Sequence, residues 1–354
     1  MQVSFIIPLF NCLALTQECL RTLQATVPAG LSHEVILVDD GSTDGTREWL
    51  AGLRPLKGLP GLSLPAVSTS DPSLGPVSPC RVLLNEHNLG FAATCNRGAA
   101  EAQGECLFFL NNDLVFQPGW FKPMLDLVQS RDAGLVGNIQ LNATTGAVDH
   151  AGLWFNRKGK PEHTTKLSWW ARLTGAGEVP ALTGACFAIK KSQWRQLGGF
   201  DEAFVNGGED VDLCLKARQA GLHNSISTRS MIRHHVSQAP GRKLRDEENS
   251  RRLLANWRSV IAELSARELC SACLEVAWED PRNYFDQMLA RDAFLYLCRL
   301  HPHPTVRLAG AIQAAFEIEF YRWSHLLDGG PVPPPSETVA RQLHRAPPDR
   351  TAVI

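Results

Sequence analysis

Five polar clusters carry residue types that can do chemistry: Asp39-Asp40 in VILVDDGSTDGT, the segment NLGFAATCNR from Asn88 to Arg97, Asn111-Asn112-Asp113 in CLFFLNNDLVF, Glu209-Asp210-Asp212 behind Gly207-Gly208, and the pair His234-His235. Two adjacent carboxylates ending an apolar run can accept hydrogen bonds from a base N–H or a ribose hydroxyl. The turn after them, with Thr43 or Asp44, reads equally as a helix N-cap. One carboxylate flanked by two amides suits a Mg²⁺ or Mn²⁺ ion that keeps waters and takes phosphate oxygens as further ligands. Asn-Asn-Asp is also good β-turn chemistry. Acids in a first helical turn are favoured by the helix dipole, yet the two glycines ahead of Asp210 would let a substrate approach, and a carboxylate there suits a general base toward a hydroxyl. Neighbouring side chains on a strand point to opposite faces, so only one histidine of the pair can join Asp113 at a metal. The alternative is a polar strand end.

The elements that must position these groups follow from periodicity. Residues 3–8, 35–38, 81–84 and 106–110 are short, nearly continuous apolar runs, and helix-like spacing follows the first two. Strands of that kind alternating with helices predict a parallel sheet covered on both faces. Ligands bind beyond the carboxyl ends of such strands, where the polar clusters lie. Residues 54–80 are dense in Pro, Gly and Ser and read as a surface insertion. Beyond residue 240 the pattern turns helical, as in Leu253–Leu264 and Phe285–Leu300, and from Gly329 it is Pro-rich. The chain thus divides into residues 1–240, a helical appendage over 241–328, and a tail over 329–354 that its composition predicts to be disordered.

Composition excludes more than it specifies. The chain has 354 residues, 44% hydrophobic and 20% charged, with a formal net charge of -1. That balance gives no footprint for nucleic acid, and no run approaches the ~18 apolar residues of a membrane span. The N-terminus lacks the marks of a secretion signal. Ten cysteines without zinc-site spacing predict free thiols and a cytoplasmic compartment.

Taken together and in order, IIPLFN, VDDGSTDGT, HNLGFAATCNRG, FLNNDLVFQPGW, LTGACFAIKKSQWRQLGGFDEAF, GGEDVDLCLKARQAG and His234-His235 resemble glycosyltransferase family 2, over about residues 3–240. The resemblance implies a GT-A fold, a Rossmann-like, mostly parallel sheet flanked by helices. It implies that Pro8, Phe10 and Asp39 line the base and ribose pocket, with Asn11, Asp40, Asn88 and Arg97 at the nucleotide-sugar. The family's D-x-D element falls on Asn111, Asn112 and Asp113. Asn111 replaces the first carboxylate, as in a rhamnosyltransferase-like branch, so ribose contact passes to an amide and Asp113 is left for the metal. Asp210 matches the family's catalytic base, with Glu209 beside it. Asp149, His150, Thr183, Gly184 and Gly208 would line the sugar and acceptor pocket. In distant members of the family a metal-binding His follows the catalytic acid at about the spacing of Asp210 and His234, which assigns His234 to the metal.

The activity so implied is inverting transfer of a sugar from a UDP- or dTDP-sugar, with Mn²⁺ or Mg²⁺, to a glycan, glycolipid or protein hydroxyl. Cell-surface polysaccharide or lipopolysaccharide assembly is the expected setting. A peripheral contact at the inner membrane face and a homo-oligomer are compatible with it. A nucleotidyltransferase would place a Gly-rich, basic phosphate loop after the first strand, where this chain has Pro8-Leu9-Phe10-Asn11. A non-catalytic sugar-nucleotide-binding scaffold would dispense with Asp113 or Asp210, and both are present.

Overall fold

The computed structural model describes residues 1–52, 80–166, 168–235, 245–279 and 284–328. Its first stretch runs β1 (Val3–Leu9), α1 (Leu13–Thr26), β2 (His33–Asp39), α2 (Thr46–Gly52), β3 (Cys80–Leu84), α3 (Phe91–Glu101), β4 (Cys106–Leu110), β5 (Leu114–Phe116) and α4 (Phe121–Val128). It continues through β6 (Ala133–Asn142), β7 (Val148–His150), β8 (Leu153–Phe155), β9 (Pro161–His163), α5 (Trp169–Thr174), β10 (Ala176–Glu178), β11 (Cys186–Lys190), α6 (Lys191–Leu197), α7 (Glu209–Gln219) and β12 (His223–His234). Helices α8 (Asp246–Glu279), α9 (Tyr284–Leu297) and α10 (Val306–Asp328) close the described chain.

The main sheet has the order β10-β12-β6-β11-β4-β1-β2-β3, with β5 added beside β12 and β7 beside β6. From β3 to β4 all neighbours are parallel, and β6 with β12 is parallel too. Strand β11 lies antiparallel between β4 and β6. Because it is antiparallel to both, β4 and β6 run the same way. The carboxyl ends of β1, β2, β3, β4, β6 and β12 therefore share one edge of the sheet.

The apolar runs fill the core as their composition requires. Val3, Phe5, Ile7, Val35, Leu37, Phe108 and Leu110 are buried together with Trp120, Phe121 and Met124. The small residues of α3 serve close packing against this sheet. A Cβ on Gly98 would lie 2.6 Å from Ile6 Cγ2 and 3.1 Å from Val38 Cγ2. Strand β12 runs for 12 residues and with β6 buries a polar layer of Asn138, Gln140, Ser227 and Ser230. The Pro/Gly/Ser-rich stretch ends one residue earlier than its composition implies, since Cys80 already belongs to β3. Its remainder from residue 54, and the tail from Gly329, lie outside the described residues.

The chain forms two compact units. One comprises Met1–Leu153 and His163–Arg245, the other Trp154–Glu162 and Asp246–Ile354. The hairpin of β8 and β9 thus contributes a segment from within the first 240 residues to the helical unit. Its turn residue Gly159 has φ +73°, and a Cβ there would lie 2.7 Å from the Phe316 ring and 2.9 Å from Leu254. Within that unit Asp292 is buried and accepts from Thr305 Oγ1 at 2.7 Å and Arg307 Nη2 at 2.7 Å. No helix among the described residues is long and apolar enough to cross a membrane. None of the ten cysteines forms a disulfide, and seven of them are buried.

Candidate active site

The functional clusters gather along the carboxyl edge. At the end of β2, Asp39 is fully buried, and its Oδ2 accepts from Arg47 Nε at 2.7 Å and from the backbone N–H groups of Gly41 and Ser42. Arg47 also donates to the Asn85 carbonyl. Asp39 Oδ1 is buried with no hydrogen-bond partner among the described residues. An orphaned buried acceptor of this kind is costly unless a ligand supplies a donor. Its neighbour Asp40 is satisfied by the protein: Oδ1 accepts from Asn85 Nδ2 at 2.7 Å and Leu89 N at 2.8 Å, and Oδ2 from Gly90 N at 3.0 Å. Asp40 braces the 85–90 loop. Gly41, at φ +83°, lets that loop come close, for a Cβ would lie 2.8 Å from Asn88 N.

Asn11, in the left-handed region at φ 58°, joins three segments. Its N–H donates to Ser42 Oγ at 2.8 Å, its Oδ1 accepts from Thr43 N at 2.8 Å, and its carbonyl accepts from Asn112 Nδ2 at 3.1 Å. Asn112 also donates to Thr16 Oγ1 at 2.9 Å. Pro8 is half-buried at the end of β1, and Phe10 beyond it is exposed. Asn88 Oδ1 accepts from Gly90 N. Arg97 is exposed, and its guanidinium donates to the Leu84 carbonyl and to Asn85 Oδ1. Asp44 supplies the helix start that the DGSTDGT turn suggested, accepting from Thr46 N and Oγ1 ahead of α2.

The residues Asn111-Asn112-Asp113 make the turn between β4 and β5, as their turn chemistry suits. Asp113 and His234 are both buried, with Asp113 Oδ1 3.3 Å from His234 Nε2. His235 faces away, its Nε2 3.8 Å from Glu18 Oε2, while its backbone N–H donates to the Asp113 carbonyl. A carboxylate and an imidazole converging at that distance fit a divalent cation that completes its sphere with diphosphate and water, and the nitrogen donor favours Mn²⁺ over Mg²⁺. Among the described residues no group of three or more His, Cys, Asp or Glu forms a metal cage, so the protein would supply a minority of the ligands.

Asp210 stands half-buried in the first turn of α7, behind Asn206, Gly207 and Gly208, which all have positive φ. Its Oδ2 accepts from Gly184 N at 2.7 Å and its Oδ1 from its neighbour Val211 N at 2.8 Å. Glu209 turns back instead, accepting from Gly207 N at 2.8 Å and tightening the glycine turn. The next residue after Gly184, Ala185, accepts from Asn111 N at 2.8 Å. Gly184 and Ala185 therefore tie Asp210 to the Asn111–Asp113 turn. Thr183, also buried, shapes this link by accepting from Ala185 N. Asn96 fastens the approach to α7, with Oδ1 accepting from Phe200 N and Nδ2 donating to the Phe200 carbonyl.

His150 lies behind the edge. It is buried, Nε2 accepts from Gly152 N at 3.2 Å, and Nδ1 donates to His163 Nδ1 at 2.9 Å. Burial first, then the neighbouring His163 and His234, push its pKa down to about 3. A neutral, doubly engaged ring supports the site from behind; Asp149 beside it is half-buried. Arg47 and Asn85 had no motif to announce them. The available signal was electrostatic: a buried strand-end carboxylate needs a cation, and Arg47 is the one Arg or Lys between His33 and Gly52.

Residues 4–177 match the model for glycosyl transferase family 2, and residues 172–237 match one described as the N-terminal domain of galactosyltransferase. The O-antigen biosynthesis protein RfbC of Myxococcus xanthus is 31% identical over 43% of this chain and 12% of its own length. The uncharacterized protein y4gI of Sinorhizobium fredii (strain NBRC 101917 / NGR234) is 29% identical over 69% of this chain and 26% of its own. The chain thus spans about a quarter or less of the length of these relatives. In fold it is similar to GalNAc-T7, solved with UDP, GalNAc and Mn²⁺, at a TM-score of 0.56 and 14% identity, over 93% of this chain and 57% of that one.

Proposed function

The chain belongs, through residues 4–177, to glycosyl transferase family 2, and from that premise we propose that it transfers a sugar from a nucleoside diphosphate sugar to an acceptor hydroxyl with inversion. The observation that carries the reading is the link, through Gly184 and Ala185, between half-buried Asp210 and the Asn111–Asp113 turn. One end of that link is a carboxylate able to take a proton. The other suits a diphosphate leaving group.

Donor recognition begins at Asp39. Its buried Oδ1 lacks a donor among the described residues, and the N3–H of uracil or thymine in a UDP- or dTDP-sugar would supply one. Asn111 would offer its amide toward the ribose, while Asn112, whose two amide N–H groups go to the Asn11 carbonyl and Thr16 Oγ1, holds the turn in place. Asp113 and His234 would hold Mn²⁺ or Mg²⁺, whose charge would offset the negative charge that develops on the departing diphosphate. Asp210 accepts the acceptor's proton as its oxygen attacks the anomeric carbon. The N–H of Gly184 orients that carboxylate, and Glu209 keeps the glycine turn in place. Base catalysis of this kind contributes roughly 10²–10⁴-fold. The match to an O-antigen biosynthesis protein supports cell-surface polysaccharide assembly as the setting.

The test is a panel of nucleotide-sugars incubated with the chain and Mn²⁺, read as nucleoside diphosphate release and as transfer to glycan acceptors. Asp210→Asn should lower turnover by about 10²-fold or more while donor affinity is kept, because a base acts in the transition state. Proton NMR of the new linkage should show the anomeric configuration opposite to the donor's. Retention would overturn single displacement, and a variant keeping more than about a tenth of wild-type turnover would remove Asp210 from the base role. Metal titration of His234→Ala and His235→Ala should show impairment in the first alone.

A further inference from the structure

Helix α5 presents two tryptophans to solvent, Trp169 at 73% and Trp170 at 58% exposure, with Leu173 at 65%. The rings meet edge to face, with centroids 5.2 Å apart. The helix is anchored by its opposite side. Ala171 is buried, its carbonyl accepts from Thr228 Oγ1 on β12, and the Gly175 carbonyl at the helix end accepts from Thr228 N. The anchoring segment of β12 adds Met231, 46% exposed, and Arg229, whose guanidinium lies against Gly175, where a Cβ would be 2.5 Å from Nε. Arg172 on α5 and Arg229 are both exposed. Glu178 lies at the far end of β10 and pairs with His223.

The patch shares an edge with the candidate active site. β10 is antiparallel to β12, with Ala176 opposite Ser227, so α5, which leads into Ala176, sits toward the carboxyl ends of β12 and β6. Indole rings beside aliphatic side chains and arginines match the boundary between headgroups and acyl chains of an anionic bilayer. A sugar-stacking platform would use the rings but would leave Leu173, Met231 and the arginines without a role.

We propose that Trp169, Trp170, Leu173 and Met231, with Arg172 and Arg229, dock the chain on an anionic membrane surface, with the carboxyl edge of the sheet turned to the headgroups. Resting on the transferase reading, this implies an acceptor held by a lipid anchor. The docking itself is measurable without activity.

The full chain is sedimented with phosphatidylcholine vesicles and with vesicles containing phosphatidylglycerol. Binding should need the anionic lipid and weaken with salt. Trp169→Ser with Trp170→Ser, and separately Arg172→Glu with Arg229→Glu, should each weaken it by about tenfold or more, with unchanged melting temperature and unchanged nucleoside diphosphate release from the donor. No binding by the wild type, or binding as tight as the wild type's by either variant, overturns the proposal. Loss of transfer to a lipid-free acceptor with vesicle binding intact would make the tryptophans an acceptor platform and overturn it too. If vesicle binding follows the prediction while no nucleotide-sugar is turned over, the transferase reading fails and the docking surface stands.

Discussion

Asp39 divides its carboxylate, one oxygen held by Arg47 and two backbone N–H groups, the other buried with no partner among the described residues. Asp39→Asn should therefore raise the donor's Kd about tenfold or more, the size of a lost hydrogen bond to a charged group, and change kcat little. Isothermal titration with UDP checks it, and an unchanged Kd would move the base elsewhere. Asp40, of the same type and one residue on, is a brace, and the sequence could not separate the two. Partners decide the roles, and those of Asp40 lie 45 to 50 residues away in the chain. His150 shows a similar limit, since its family match suggested a sugar contact and the ring is enclosed. Its depressed pKa carries a stability consequence. The unfolded chain binds a proton near pH 6.5 and the folded one only near 3, so stability is complete above about pH 6.5 and falls as pH drops through that window, by up to ~1.4 kcal/mol per pH unit. Urea denaturation of wild type and His150→Gln between pH 7 and 5 should show a shallower slope in the variant.

The Thr183–Ala185 segment ahead of β11 and the start of α7 are separate in sequence, and one backbone N–H couples them. A Cβ on Gly184 would lie 3.2 Å from the Phe91 ring and 3.4 Å from Asp210 Cβ. Gly184→Ala should therefore press on the Phe91 ring first and meet Asp210 only at van der Waals distance. The expected result is a melting temperature lowered by a few degrees and a kcat loss of no more than about tenfold, since a shift of a few tenths of an ångström misplaces a reacting group far less than a full ångström does. A kcat loss of about a hundredfold with unchanged melting would show that Asp210 is displaced after all. Elements differ in how openly they declare themselves. Strands β1, β2 and β4 were legible because burial on both faces leaves a continuous apolar run. Strand β12, HNSISTRSMIRH, was mostly hidden because it buries serines beside Asn138 and Gln140 of β6, and a polar layer has no hydrophobic period to read. The hairpin segment Trp154–Glu162 belongs to the helical unit through contacts distant in sequence, which composition does not encode.

At the scale of the molecule, strand order and chain order disagree. β4 receives its second neighbour only from β11, and β6 and β5 both pair with β12. Residues 4–177, the stretch that matches the family, lack both late strands. A fragment ending at residue 177 should therefore aggregate or melt without cooperativity, whereas the full chain melts cooperatively. Gel filtration and thermal denaturation decide it, and a monodisperse, cooperatively melting fragment would show that the parallel half suffices. The same order bears on how the chain is made. As it leaves the ribosome, the five residues CLFFL of β4 can pair on one side with β1 at once. Their other side stays open until Cys186–Lys190 has emerged and threaded between β4 and β6. Throughout that interval an unpaired apolar edge is available to any other nascent chain. Yield in a host should then respond to chaperone supply and to the pace of translation between β4 and β11, even for variants whose finished fold is as stable as the wild type's.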